Sequence, residues 1–442
     1  MFNKISLRNF KSFKELDEIE LKNITIIAGK NSCGKSSILQ SMLLLKQTIE
    51  SSSGSPLCLE GKYIKCSNIK ELTFGLPPVN QAKFGYEFFF EDKSSVALSF
   101  KNKSIDGSYI PVLDSNIQKI CKDNEIIELS NDVTKTKLKK LLDKMNFPVS
   151  IDKMLSFEII YDKFTASHVK VKFEDDKGNH ETINLPMFFI FSEGKELTSN
   201  LINSLKDIRY LSPVRAIPER AYVHYSEDAS ELNEDGSNAA HILWSKKNSP
   251  VKWKGETMKL KDALNDCISC MGLSQQISPD KIGDILYKVG IKEDISGNNV
   301  SLADVGFGYS QIIPVILLGL INDSNNLMLL EQPEIHLHPS SAANLADLFI
   351  NFAKDNKKFV IETHSQELIN RLRLRVIENP ELKDKINIVF IESNSELGAQ
   401  ATQFEIDENG MFPSWPDGFL DESKKLADAI INARLAKADD EW

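Results

Sequence analysis

Apolar positions along the chain follow two rhythms. FNKISLRNF and ITIIAG, near the N-terminus, alternate or are β-branched, and so predict short strands. KSSILQSMLLLKQTIE, next along, predicts a helix rich in Leu and Met. Residues 84–101 predict a β-hairpin with a charged turn, and FEIIYDKFTASHVKVKFED and ETINLPMFFIF, between 157 and 191, predict further antiparallel strands. Residues 115–155 are highly charged and predict a helical segment within an insertion. Residues 207–247 are irregular, with two prolines beside three arginines. From 301 the rhythm becomes helix, strand, helix, strand, helix, strand: QIIPVILLGLI, NLMLLE, SSAANLADLFINFAK, KFVIET, SQELINRLRLRVI, INIVFIE. That alternation predicts a largely parallel sheet, and an α/β fold class. No internal repeat and no sustained heptad pattern is present.

Bulk properties narrow the partners. The chain has 442 residues, enough for two or three lobes, and a formal net charge of -10. No global basic field draws it to nucleic acid or anionic lipid, although a local basic patch remains compatible with contact to DNA. No apolar run approaches the ~20 residues that cross a bilayer. The charged start is unlike a secretory leader, and six scattered cysteines suit reduced thiols. These features predict a cytoplasmic protein with no membrane association.

GKNSCGKSS, Gly29 to Ser37, matches the phosphate-loop pattern G-x-x-x-x-G-K-[ST], and it sits between a predicted strand and a predicted helix. Gly29 and Gly34 let the backbone curl round phosphates, with Asn31, Ser32 and Cys33 lining the turn. The helix N-terminus adds partial positive charge. Lys35 reaches the terminal phosphates of ATP, Ser36 ligates Mg²⁺, and Ser37 follows them into the helix.

LMLLEQPEIHLHP, 327–339, supplies the second half of such a site. Glu331 ends an apolar strand, where a carboxylate holds Mg²⁺ directly or through water. Gln332 stands where many ATPases of this layout place the acid that activates water. A carboxamide orients water but takes no proton, and losing a general base costs about 10²–10⁴-fold in rate. Glu334 either takes over, if the turn points it inward, or is a solvated turn residue. His364, in IETHS at another strand tip, is placed to hydrogen-bond a γ-phosphate. His336 and His338 have metal-ligand spacing but no third ligand, so turn-packing or subunit contacts are expected.

DVGFGYSQ, from Asp304, makes a second glycine-rich turn. Ser310 is expected to N-cap the apolar helix that follows, with Gly308 and Gln311 beside it. One chain needs only one phosphate loop, so this second cradle is expected to cap ATP bound by another subunit, in a homodimer or higher homo-oligomer.

These motifs, in this order, resemble the Walker A, signature, Walker B and switch-histidine elements of ABC-type ATPases, in particular heads of the structural-maintenance-of-chromosomes kind. YLSPVRAIPERAY and FEIDENGMFPSWPDGF are similar to a narrower group of bacterial AAA-annotated ATPases with a short C-terminal domain of unknown function. The resemblance implies a P-loop ABC-type head with an antiparallel β lobe and a helical insertion. It divides the chain into head residues 1–112, an insertion at 113–206, head residues 207–390 and a family-specific tail at 391–442. It implies ATP and Mg²⁺ as cofactors, and Ser310 and Gln311 acting across a dimer. Such ATPases often sit beside nuclease genes in anti-phage defence, which implies a separate nuclease or other effector. DNA tethering by the head, and a scaffold without turnover, are the alternatives.

Three further features are expected to be structural. The Cys267/Cys270 pair lies in an amphipathic helix without a second pair to complete a zinc site. RLRLR, 371–375, fits a helix with Leu372 inward. Arg215 and Arg220 steady a long loop, contact nucleotide, or hold an acidic partner loop. Too little chain follows Glu392 for a nuclease domain of typical size.

Overall fold

The computed structural model describes residues 1–105, 107–120, 125–130, 154–174, 180–186, 192–223, 230–273, 275–282, 286–292, 299–305, 307–394, 396–412 and 422–439. Its centre is five parallel strands, ordered across the sheet as Ile208–Leu211, Leu327–Glu331, Lys358–Glu362, Ile24–Gly29 and Ile386–Asn394. The inner strands Ile24–Gly29, Leu327–Glu331 and Lys358–Glu362 are buried on both faces and read as largely apolar runs, whereas the edge strand Ile208–Leu211 leaves Arg209 and Tyr210 half-buried. The order across the sheet differs from the order along the chain. Lys358–Glu362 lies between the phosphate-loop strand and the strand ending in Glu331, so three strand tips converge on one edge. In open α/β sheets that carboxyl edge is where ligands bind.

The sheet continues antiparallel through Gly398–Phe404, Phe13–Glu20, Phe2–Phe10, Lys83–Phe90, Ser95–Ile105, Ser108–Ile120 and Glu125–Ser130, giving twelve strands in all. Lys83–Phe90 shows the expected alternation, with Phe84, Tyr86 and Phe88 inward. A separate antiparallel sheet joins Met154–Asp162, Thr165–Glu174 and His180–Pro186. The predicted hairpins therefore form, and the fold is mixed α/β.

The helical reading of 115–155 is corrected in its first part. Ser108–Ile120 and Glu125–Ser130 are paired strands; residues 131–153 lie outside the described residues. Asn116 and Gln118 are buried polar residues, which hid the period-two pattern. Asn116 donates to the Phe164 carbonyl at 3.0 Å and Gln118 to the Thr198 hydroxyl at 2.7 Å, so both side-chain amides find acceptors, while Gln118 Oε1 is buried without a partner.

Helix Lys35–Glu50 is buried almost all round, with Ser192–Lys206 packed against it. On the other side of the sheet, Trp253, Phe349, Phe352 and Phe359 are fully buried, with ring centroids 4.9 Å apart for Trp253–Phe352 and 5.1 Å for Phe349–Phe359. Each such ring contributes roughly 1.5–3 kcal/mol by leaving water. Cys267 is buried in helix Leu260–Cys270, as expected of a structural thiol. Leu372 is also inward, and Arg371 and Arg375 both pair with Asp347 on the adjacent helix. Among the described residues no helix is long and apolar enough to cross a membrane.

Candidate functional site

The phosphate loop begins where strand Ile24–Gly29 ends. Gly29 has φ 147°, and a Cβ there would meet the Ile391 carbonyl oxygen at 2.3 Å. Gly34 has φ 106°, and its Cβ would meet Ser12 Cβ at 2.8 Å. Both positions therefore demand glycine, on conformation and on space. Lys30, Asn31 and Ser32 form an exposed crest, while Cys33 and Ser37 are buried beneath it. Burial pushes the Cys33 thiol pKa up, and the nearby Lys35 charge opposes that shift.

Helix Lys35–Glu50 starts at Gly34 with no side-chain cap and no acid of its own in the first turn, so its N-terminal dipole faces the loop. Lys35 is only 4% exposed, and its Nζ donates to the carbonyls of Gly29 at 3.1 Å and Lys30 at 2.5 Å. Its charge thus lies inside the loop.

Strand pairing brings two acids together. Leu327–Glu331 and Lys358–Glu362 run in register, with Leu330 opposite Ile361 and Glu331 opposite Glu362. Glu331 Oε1 accepts a 2.9 Å hydrogen bond from the Tyr210 hydroxyl. Burial pushes the Glu331 carboxyl up to about 7; the Tyr210 bond opposes this and the Glu362 charge adds to it. Glu362 is 4% exposed and accepts from the Ser36 hydroxyl at 2.9 Å. Its Oε2 is buried without a hydrogen-bond partner. Burial raises its pKa, the Ser36 bond and Lys35 lower it, and Glu334 raises it.

The sequence reading missed Glu362 and Tyr210. A signal existed for the first: KFVIE ends an apolar strand on an acid just as LMLLE does. No local pattern marks Tyr210, which comes from the next parallel strand.

The turn after Glu331 is tight. Gln332 has φ 44° and His336 φ 62°, left-handed conformations costly for residues with a Cβ. The Gln332 N–H donates to the Glu362 carbonyl at 2.7 Å. Arg215, 5% exposed, donates from Nη2 to the carbonyls of Glu331 at 3.1 Å and Gln332 at 3.4 Å. Burial pushes its pKa down to about 10, against the pull of the Glu334 charge. Arg215 thus braces this turn, while Arg220 pairs with Asp304 at 2.8 Å.

Glu334 points inward. Its Oε1 accepts from the Thr363 hydroxyl at 2.8 Å and the His364 N–H at 2.9 Å. It therefore ties the Walker B turn to the histidine loop, where His364 is exposed and its pKa is lowered by burial and by Lys35. His338 caps helix Pro339–Lys354, its Nδ1 meeting Ser340, which agrees with a turn-packing role.

The expected position of Ser310 is corrected. The helix runs Phe307–Ile321, so Ser310 lies in its first turn and is not its N-cap. Ser310 and Gln311 are 6% and 4% exposed. Gly308 is part-exposed at that helix start, next to His336 and Leu337 of the turn after Glu331.

These residues suit a hydrated divalent cation held jointly with phosphates: the Ser36 hydroxyl, the half-buried Glu331 carboxylate, and the buried Glu362 carboxylate with one oxygen lacking a donor. No described group of three His, Cys, Asp or Glu forms a metal site by itself.

A glycine loop entering a helix N-terminus, faced by acids on two neighbouring strand tips, defines a P-loop ATPase fold. Residues 1–369 match the family described as AAA ATPase domain, and residues 383–430 match a family described as protein of unknown function (DUF3696). The chain belongs to the AAA ATPase domain family and carries a DUF3696 segment at its C-terminal side. No curated protein matches it. Similar solved structures include the SMC head domain from Thermotoga maritima, at 12% identity and TM-score 0.41 over 92% of this chain and 99% of that one. Another is an SmcHead bound to the C-winged helix domain of ScpA, at 12% identity and TM-score 0.43 over 92% and 98%. A third is an Smc head domain with an extended coiled coil bound to the C-terminal domain of ScpA derived from Pyrococcus furiosus, at 10% identity and TM-score 0.41 over 97% and 99%. These likenesses are distant.

Proposed function

We propose that this ATPase is a slow nucleotide switch. Two copies close on ATP, and the closed pair positions or restrains a separate effector, a nuclease acting in anti-phage defence. Lys35 and the loop N–H groups would hold the phosphates, Ser36 and Glu331 would hold Mg²⁺, whose charge would neutralise the terminal phosphates, and His364 would hydrogen-bond the γ-phosphate. The reading of the effector rests on the resemblance to ATPases that accompany nucleases. DNA tethering is less well supported, because Arg371 and Arg375 are already engaged by Asp347.

The observation that carries slow turnover is Gln332. It stands at the position of the proton acceptor; of the nearby Glu334 oxygens, Oε1 is occupied by Thr363 and His364, while Oε2 is buried without a hydrogen-bond partner. Replacing Gln332 with glutamate restores an acid with little change in size. ATP turnover, followed by phosphate release, is expected to rise roughly tenfold or more. Unchanged turnover would assign proton transfer elsewhere and remove the reason for calling the switch slow.

A further inference from the structure

Two acidic strand tips, Glu331 and Glu362, lie in register beside the phosphate loop. Glu362 is the more buried, and one of its oxygens lies in the interior with no hydrogen-bond donor. An ionised oxygen in that state is costly unless a cation reaches it. Its other oxygen holds Ser36, the hydroxyl of the phosphate loop that a cation would meet. Lys35 supplies one positive charge against these two negative ones.

We propose that Glu362 is a second anionic arm of the cation site, and that its charge makes nucleotide binding obligatorily coupled to a divalent cation. Free ATP is repelled by the carboxylate pair, whereas ATP carrying Mg²⁺ or Mn²⁺ brings the charge that the pair lacks. At an effective dielectric near 20 and a spacing of ~6 Å, one further carboxylate disfavours bare triphosphate on the order of 100-fold. A purely structural role differs in what it requires. Anchoring the Ser36 hydroxyl needs only a neutral acceptor oxygen, which glutamine provides.

The inference rests on the nucleotide-binding reading above, and the test separates the two. A fluorescent ATP analogue is titrated into the whole protein at one fixed pH, once with Mg²⁺ and once with EDTA. The wild type should bind tightly with Mg²⁺ and at least tenfold more weakly without it. Glu362→Gln should close much of that gap by strengthening metal-free binding, and should need more Mg²⁺ to saturate. Glu362→Asp keeps the charge and should keep the gap. Circular dichroism melting reports whether each variant is folded. Unchanged metal-free affinity in folded Glu362→Gln, equal loss of binding in both buffers, or a gap that closes equally in Glu362→Asp would overturn the proposal. A wild type that binds the analogue in neither buffer would instead overturn the nucleotide-binding reading.

Discussion

Lys35→Ala is expected to abolish measurable ATP binding while leaving the protein folded. Lys35 is almost wholly enclosed by the loop, and its ammonium bridges the Gly29 and Lys30 carbonyls. Those bonds keep the charge within the turn that wraps the phosphates. At ~4 Å and an effective dielectric near 20, one unit charge on a phosphate oxygen gains about 4 kcal/mol before desolvation. Desolvation and lost mobility leave a net loss on the order of 100-fold or more in affinity when the charge is removed. The fold should tolerate the change, because Lys30 lies on the exposed crest and water can replace the lost donor at its carbonyl. Titration with a fluorescent ATP analogue, beside a thermal melt, checks both halves. A folded variant within about threefold of wild-type affinity would mean the loop is not a phosphate site.

How much of this was legible in the sequence depends on how local each feature is. The phosphate loop is nine consecutive residues whose conformation is set by Gly29 and Gly34, so its pattern survives translation into structure. The parallel core was legible because strands buried on both faces leave uninterrupted apolar runs. Glu362 was overlooked although its strand was read correctly. Its importance comes from register, from facing Glu331 across one strand gap and touching Ser36, some 326 positions away. The strand-ending acid in KFVIE was visible locally, but which strand it would face was not, because that pairing is non-local. The strand residues 115–120 and 125–130 were misread as helical because Asn116 and Gln118 take inward positions usually held by apolar side chains. Ser310 misled for another reason. Serine is a strong N-cap residue, but here the helix already includes Phe307 and Gly308, so Ser310 falls inside its first turn.

That last correction changes how the proposed dimer is tested. Ser310→Arg would force a long charged side chain into a buried position and is expected to unfold the helix start, which says nothing about a partner. Gly308→Glu is the informative variant. A Cβ at Gly308 would lie 3.6 Å from the His336 carbonyl oxygen and 3.8 Å from Leu337 Cδ2, ordinary contact distances. Glutamate in a first helical turn is favoured by the helix dipole, and glycine is a poor helix former, so stability should hold or rise by a few tenths of a kcal/mol. The surface at this point is shared by the signature helix start and the turn that carries Gln332 and Glu334. Across a dimer, that surface would face the partner's open phosphate crest of Lys30, Asn31 and Ser32. A carboxylate placed there would meet the partner's triphosphate, and like charges at such contact cost several kcal/mol. The expected result is normal ATP binding by the single chain, with ATP-dependent dimerisation weakened on the order of 100-fold or lost. Light scattering with a non-hydrolysable analogue reads it directly. A variant that still dimerises on the analogue as the wild type does would remove the signature helix from the interface, and with it the closed ATP-bound pair on which the switch depends.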